Sequence, residues 1–189
     1  MPAFTLPALA QTATVYNISI DLSDMDRGVY ETLDLRVARH PSESVEFTLV
    51  RVLAYCLEYQ EGIQMTAAGL SAVDDPALTV RDLTGQMTLW IEVGLPDAER
   101  LHRGSKKAGR VAVYTHRDAR QFLAQLEGEK IHRAGEIVIR AFDRGAVEEA
   151  AALIDRRTSC ALTVSGGELH LSIGEQTVTI GMSEFGLRR

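Results

Sequence analysis

One carboxylate interrupts the apolar stretch Leu89-Trp90-Ile91-Glu92-Val93, which a glycine, Gly94, brings to a stop. A buried charge without a partner is costly, so Glu92 needs a cation or a metal beside it. Four more acids are placed to meet it: Glu43 and Glu46 in a helical pattern upstream, and Asp74-Asp75 ahead of Pro76. Carboxylates that converge repel one another unless a divalent cation or a basic side chain neutralises them. Oxygen-only ligands select Mg²⁺ or Mn²⁺ over zinc. Directly downstream, Arg100, His102, Arg103, Lys106, Lys107 and Arg110 form the densest positive cluster of the chain. A metal that acidifies water, with basic side chains at a phosphate, is the chemistry of phosphodiester hydrolysis.

Each residue also has a structural reading. Glu43 suits a capping position, and His40 a capping or hydrogen-bonded one. Glu46 suits a buried ion pair with Arg51 or a strand cation, Asp74 and Asp75 a solvated turn, and the basic run a solvated helix face. No phosphate-binding glycine loop, Gly-x-Ser-x-Gly elbow or zinc-spaced histidine pair is present.

The elements that must position these groups follow from periodicity. Alternation over Thr12 to Leu22 and Val29 to Arg39, around the turn Ser23 to Gly28, predicts a β-hairpin. Pro41 to Tyr59 reads as a helix whose apolar arc includes Glu46 and has Glu43 at its edge. A strand at Gly62 to Ala72, the Glu92 strand, a helix at Asp97 to Arg110 and a buried strand at Val111 to Tyr114 come next. Helices near Ala119 to Glu127 and Ala146 to Arg156 enclose a strand at Glu136 to Phe142. Three closing strands, Ser159 to Ser165, Glu168 to Ile173 and Gln176 to Ile180, contain the hairpin turn Gly166-Gly167. The class is α/β.

With 189 residues, 46% hydrophobic and 24% charged, the chain reads as one domain over 1–189, residues 1–11 being a flexible or peripheral extension. A net charge of −6 argues against general nucleic-acid coating and against anionic membranes, while leaving room for a local basic patch. No apolar run reaches the roughly 20 residues that span a bilayer. Cys56 and Cys160 read as reduced core thiols of a cytoplasmic protein.

Several segments together closely resemble the YaeQ family of small bacterial proteins: Ala38 to Glu43, Gly69-Leu70-Ser71, Asp74-Asp75-Pro76 and Leu89 to Asp97. Asp24 to Arg27 and Val113-Tyr114-Thr115 fit as well, so the resemblance runs from about Ala13 to the last strand. It implies a fold like the PD-(D/E)XK nuclease superfamily. That fold has a restriction-endonuclease-like core of helix, three antiparallel strands, helix and strand, here extended by the hairpin and the closing strands into a mixed sheet. It further implies Asp74 or Asp75 and Glu92 as metal ligands for Mg²⁺ or Mn²⁺, with Glu43 or Glu46 as the helix acid. The superfamily's lysine two residues after the glutamate is missing, because Gly94 stands there. Arg103 stands where relatives carry lysine, with Lys106 and Lys107 a turn further on to bind phosphate. The function implied is a metal-dependent nuclease that meets nucleic acid through the basic helix. The alternative is a catalytically impaired nuclease-fold protein that binds nucleic acid or protein.

Overall fold

A computed structural model describes residues 13–66 and 75–187. The N-terminal extension, the part of the expected Gly62 strand from Ala67 onward, and Asp74 lie outside the described residues.

The chain opens with the expected hairpin, β1 (Thr14–Asp24) and β2 (Val29–Arg39). Tyr16, Ile18, Ile20 and Leu22 form the buried face of β1. The turn is closed by Asp24, which accepts bonds from Arg27 N at 3.0 Å and Arg27 Nε at 2.6 Å.

Helix α1 (Val45–Leu57) begins four residues later than Pro41. Ser44 is the cap, its Oγ accepting from Phe47 N at 3.2 Å, because a hydroxyl serves the first turn better than the histidine at 40. Glu43 is therefore ahead of the helix, where its carboxylate accepts from His40 N at 3.3 Å. Leu49, Val50, Val52, Leu53 and Leu57 are all buried, worth about 10 kcal/mol of gross apolar transfer at roughly 2 kcal/mol each.

Then come β3 (Ile63–Met65), β4 (Leu78–Arg81), β5 (Met87–Val93), α2 (Ala98–Lys107) and β6 (Arg110–Thr115). The chain continues with α3 (Ala119–Leu126), a 3-10 turn at Ala134–Glu136, β7 (Val138–Phe142) and α4 (Arg144–Ala152). It closes with β8 (Arg157–Ser165), β9 (Glu168–Ile173) and β10 (Gln176–Gly186). The last strand outruns the expected Ile180 because its second half pairs with β7, from Met182↔Phe142 to Gly186↔Val138.

The ten strands of the described residues join one mixed sheet in the order β2-β1-β8-β9-β10-β7-β6-β5-β4-β3. It is mostly antiparallel, with parallel pairs at β1–β8, β5–β6 and β6–β7. One face curls round α1 and α4, and a continuous core runs from Ile18 of β1 through Leu53 to Ile91 of β5, so the sheet is nearly barrel-like. The opposite face of β5, β6 and β7 carries α2 and α3 over Trp90, Leu101, Val113, Phe122 and Ile139.

Among the described residues the sheet edges are β2 and β3, and a buried side chain reaches β2 and the residue that follows β3. Arg51 of α1 donates from Nη1 to Ala38 O and from Nη2 to Thr66 O, each at 3.2 Å. Its counter-ion is Glu43, with Nη1 3.1 Å from Oε2. Among the described residues no helix is long and apolar enough to cross a membrane.

Candidate functional site

Alternation along β5 sends Leu89, Ile91 and Val93 into the α1 core and leaves Trp90 and Glu92 on the α2 side. Glu92 therefore lies one residue from the C-terminal end of a strand that pairs in parallel with β6. The chain leaves β5 through Gly94, whose φ of 95° belongs to the left-handed region. A Cβ there would also meet Phe47 Cε2 at 3.2 Å. A side chain at this position would be strained by the backbone conformation and would press on Phe47 of α1.

After Leu95-Pro96, Asp97 caps α2 by accepting from Arg100 N at 2.8 Å. The cap fixes the first turn, and with it Arg100, whose Nε donates to Glu92 Oε1 at 2.8 Å. Arg100 Nη2 donates to Asp75 O at 2.7 Å, tying the segment before β4 to the same guanidinium. Trp90 Nε1 donates to the same Oε1 of Glu92 at 2.6 Å. Gly104 lets α2 lie this close, since a Cβ would come within 2.9 Å of the Trp90 ring. Glu92 is 3% exposed. Burial lifts its proton affinity above the ordinary glutamate value, against the opposing pull of Arg100. Both bonds fall on Oε1, and no bond among the described residues reaches Oε2.

Glu92, Arg100, Asp97, Phe47, Ala77 and Arg51 line a cleft of about 250 Å³. Burial weakens the proton hold of the Arg51 guanidinium, Glu43 opposes this, and Arg51 Nε is buried without a partner.

The predicted site residues divide between this cleft and other places. Glu92 is in it, and Glu43 stands behind it as the partner of Arg51. Asp75 is exposed and offers its carbonyl. Glu46 departs from the expected pair with Arg51: five residues along a helix turn a side chain roughly 140° away. It is half-buried instead, and the Ser44 hydroxyl, its own amide and nearby His116 and Arg117 hold its carboxyl below the ordinary range. Arg103 pairs with Glu99 at 2.9 Å, Lys107 Nζ is 5.9 Å from the centre of the Trp90 ring, and Lys106 is exposed on another flank of α2. Among the described residues no three His, Cys, Asp or Glu side chains gather closely enough to share a metal.

Two residues were not singled out from sequence: Arg100 of the cleft, and His116, which lies outside its lining near Glu46. Arg100 was one cation in a run, and only the cap at Asp97 fixes which of the run meets Glu92. His116 is 6% exposed beyond β6, with Nδ1 buried and unbonded, and burial followed by Arg117 depresses its pKa. Its position directly after the Tyr114-Thr115 strand end was the available signal.

The family model described as YaeQ protein matches residues 9–182. The Escherichia coli (strain K12) protein called "Uncharacterized protein YaeQ" is 30% identical over 176 residues, 93% of this chain and 97% of that protein. The Salmonella typhi protein of the same name matches over the same shares at 30% identity. The crystal structure of the YaeQ protein from Xanthomonas axonopodis pv. citri superposes with a TM-score of 0.84 at 30% identity, covering 94% of this chain and 100% of that one. That from Pseudomonas syringae gives 0.82 at 30% identity, covering 92% and 96%.

Proposed function

This chain belongs to the YaeQ family, and from that premise we propose that it is a metal-dependent nuclease whose phosphodiester site is the Glu92 cleft. One observation carries the reading. A carboxylate 3% exposed at the end of a parallel strand has one oxygen fixed by Trp90 and Arg100, and no bond among the described residues on the other. Clefts at the carboxyl ends of strands are where α/β sheets place their ligands. The order α1, antiparallel β3 to β5, α2 and β6 is also that of the PD-(D/E)XK core implied by the resemblance.

Mg²⁺ fits such a site when one or two carboxylates and substrate oxygens complete its shell. Glu92 is the first carboxylate in this proposal and Asp74 or Asp75 the second, while Glu43, ahead of α1, holds Arg51 at the cleft wall. Bound Mg²⁺ or Mn²⁺ would supply an acidified water and an electrophile for the phosphoryl oxygen. The protein's own groups do the rest. Trp90 holds the Glu92 carboxylate in one orientation. Arg100 neutralises it at rest and is within reach to balance charge that develops on phosphate. Arg103, Lys106 and Lys107 meet the backbone of nucleic acid from α2. Arg103, permanently protonated, orients or neutralises and does not act as a base. Free Cys56 and Cys160 suit the cytoplasmic setting that the proposal assumes.

A second reading, a nuclease-fold module that binds without cutting, is favoured by the Glu92–Arg100 ion pair, which already gives the carboxylate its counter-charge. The two separate on cleavage of single-stranded, duplex and branched DNA and of RNA with Mg²⁺ or Mn²⁺. The nuclease reading expects cutting that Glu92→Ala reduces by at least about a hundredfold, the scale of losing a group that stabilises transition-state charge. Cutting that survives this change intact would sink the site, and no cutting of any substrate would leave the binding module.

A further inference from the structure

The two flanks of α2 face different surroundings. At about 100° per residue, Arg100, Arg103 and Lys107 fall on one side of the buried stripe formed by Leu101, Gly104 and Ser105. His102 and Lys106 fall on the other side. There they line a separate groove of about 810 Å³ between α2 and the segment from Gly128 to Glu136. Lys130, His132 and Arg133 face them across it.

This groove combines three features. The first is positive charge on a chain whose net charge is −6. Among the described residues Lys106 and Lys130 have no ion-pair partner, and of the two acids lining the groove Glu136 is paired with Arg133 at 3.5 Å, leaving Glu129. The other large groove has the opposite character, with Asp118, Asp143 and Glu168 against Arg120. The second feature is an aromatic pair: the His102 and His132 rings lie 6.5 Å apart, edge to face at 65°, and line the groove together with apolar Leu126, Ile131 and Leu187. The third is a fixed wall. Arg133, at φ 46°, donates to Ser105 O at 2.6 Å, Ala108 O at 2.7 Å and Gly109 O at 3.2 Å, locking the segment to the end of α2. His132 N donates to His102 Nδ1 at 3.3 Å and ties the His132 backbone to the His102 ring.

Unpaired lysines beside rings and an apolar floor match a ligand that has both phosphates and a free base face. The geometry points to single-stranded nucleic acid, its phosphates on Lys106 and Lys130 and a base against the histidine pair. A duplex buries its base faces and could use only the lysines. For the position of the scissile bond this rests on the nuclease reading: the strand crosses α2, roughly 10 Å wide, and continues into the Glu92 cleft.

The test is fluorescence anisotropy with a short labelled deoxythymidine oligonucleotide and a duplex of equal length, in EDTA so that nothing is cut. Single-strand binding is expected to weaken about tenfold or more in Lys106→Glu/Lys130→Glu, with a shallower salt dependence. His132→Ala weakens it several-fold at unchanged salt slope, as stacking without charge requires. Glu129→Gln tightens it. Arg36→Glu/Arg157→Glu, the same charge change on another face, leaves it within about twofold of the unsubstituted protein. All variants alter surface positions and are checked by melting. Unchanged binding in the lysine pair, an equally tight duplex, or an equal loss in the arginine pair overturns the inference. Strand binding with no cleavage in Mg²⁺ or Mn²⁺ removes the nuclease reading and keeps the groove. Cleavage at unchanged KM after the lysine reversal removes the groove alone.

Discussion

Glu92 sits in an environment that disfavours its charge and beside a cation that restores part of it. The balance lies above the ordinary 4.5, with burial as the larger cause. A raised folded-state pKa means that the native protein binds this proton more tightly than the unfolded chain does. Its stabilising contribution is then complete below the unfolded value and is lost as pH rises through the folded one. The melting temperature of the native sequence minus that of Glu92→Gln is expected to be largest near pH 4 and to shrink toward neutrality. A constant difference across that range would mean that Glu92 does not titrate late. Taking the difference matters because Glu46, Asp26 and Asp82 shift the other way and lend stability as pH rises. Glu92 was legible in the sequence because a lone charge inside an apolar run has few explanations. Its partner was not, because six cations follow it and only the cap at Asp97 selects Arg100. For Glu43 the capping reading was visible in the spacing from His40. The Arg51 pair was not, since it depends on where the hairpin's last strand passes α1.

At the scale of elements, α1 is the piece against which the sheet closes. Arg51 gives the α1 core a polar centre that bonds to the carbonyl of Ala38 in β2 and to that of Thr66 directly after β3. Arg51→Met takes the guanidinium away from the buried Glu43 carboxylate and frees the carbonyls of Ala38 and Thr66. The expected loss is about 3–5 kcal/mol in urea unfolding, and Arg51→Met/Glu43→Gln should recover part of it. A loss below roughly 1 kcal/mol, the ceiling for an ordinary exposed pair, would show that the pair does not tie the edges. The hairpin and the three closing strands were readable because their alternation matches one buried face. β4 was not recognised: Leu78-Thr79-Val80 is buried throughout, and a four-residue strand without alternation looks like any short apolar run. The start of α1 was placed early because Pro41 is a good first helical residue, and Ser44 is a better cap.

For the molecule as a whole, the decisive pairing joins distant parts of the chain. β1 lies between β2 and β8, in register from Asn17↔Arg157 to Asp24↔Val164. The N-terminal hairpin therefore has no sheet to join until the C-terminal strands exist. Removing residues 157–189 takes away β8, β9 and β10, and with them the bridge between the hairpin and β7. The remaining chain is expected to lose its cooperative thermal transition in circular dichroism, and a truncated protein that still melts sharply would contradict this. No local pattern announces such a pairing, because registers between remote strands are set by the sheet as it assembles. The molecule also contains a single tryptophan, Trp90, and its indole N–H is bonded to the carboxylate of the cleft. Its ultraviolet emission thus comes from one place. Quenching or a wavelength shift on adding Mn²⁺, an oligonucleotide or acid reads the state of Glu92 directly, without a label or an engineered probe.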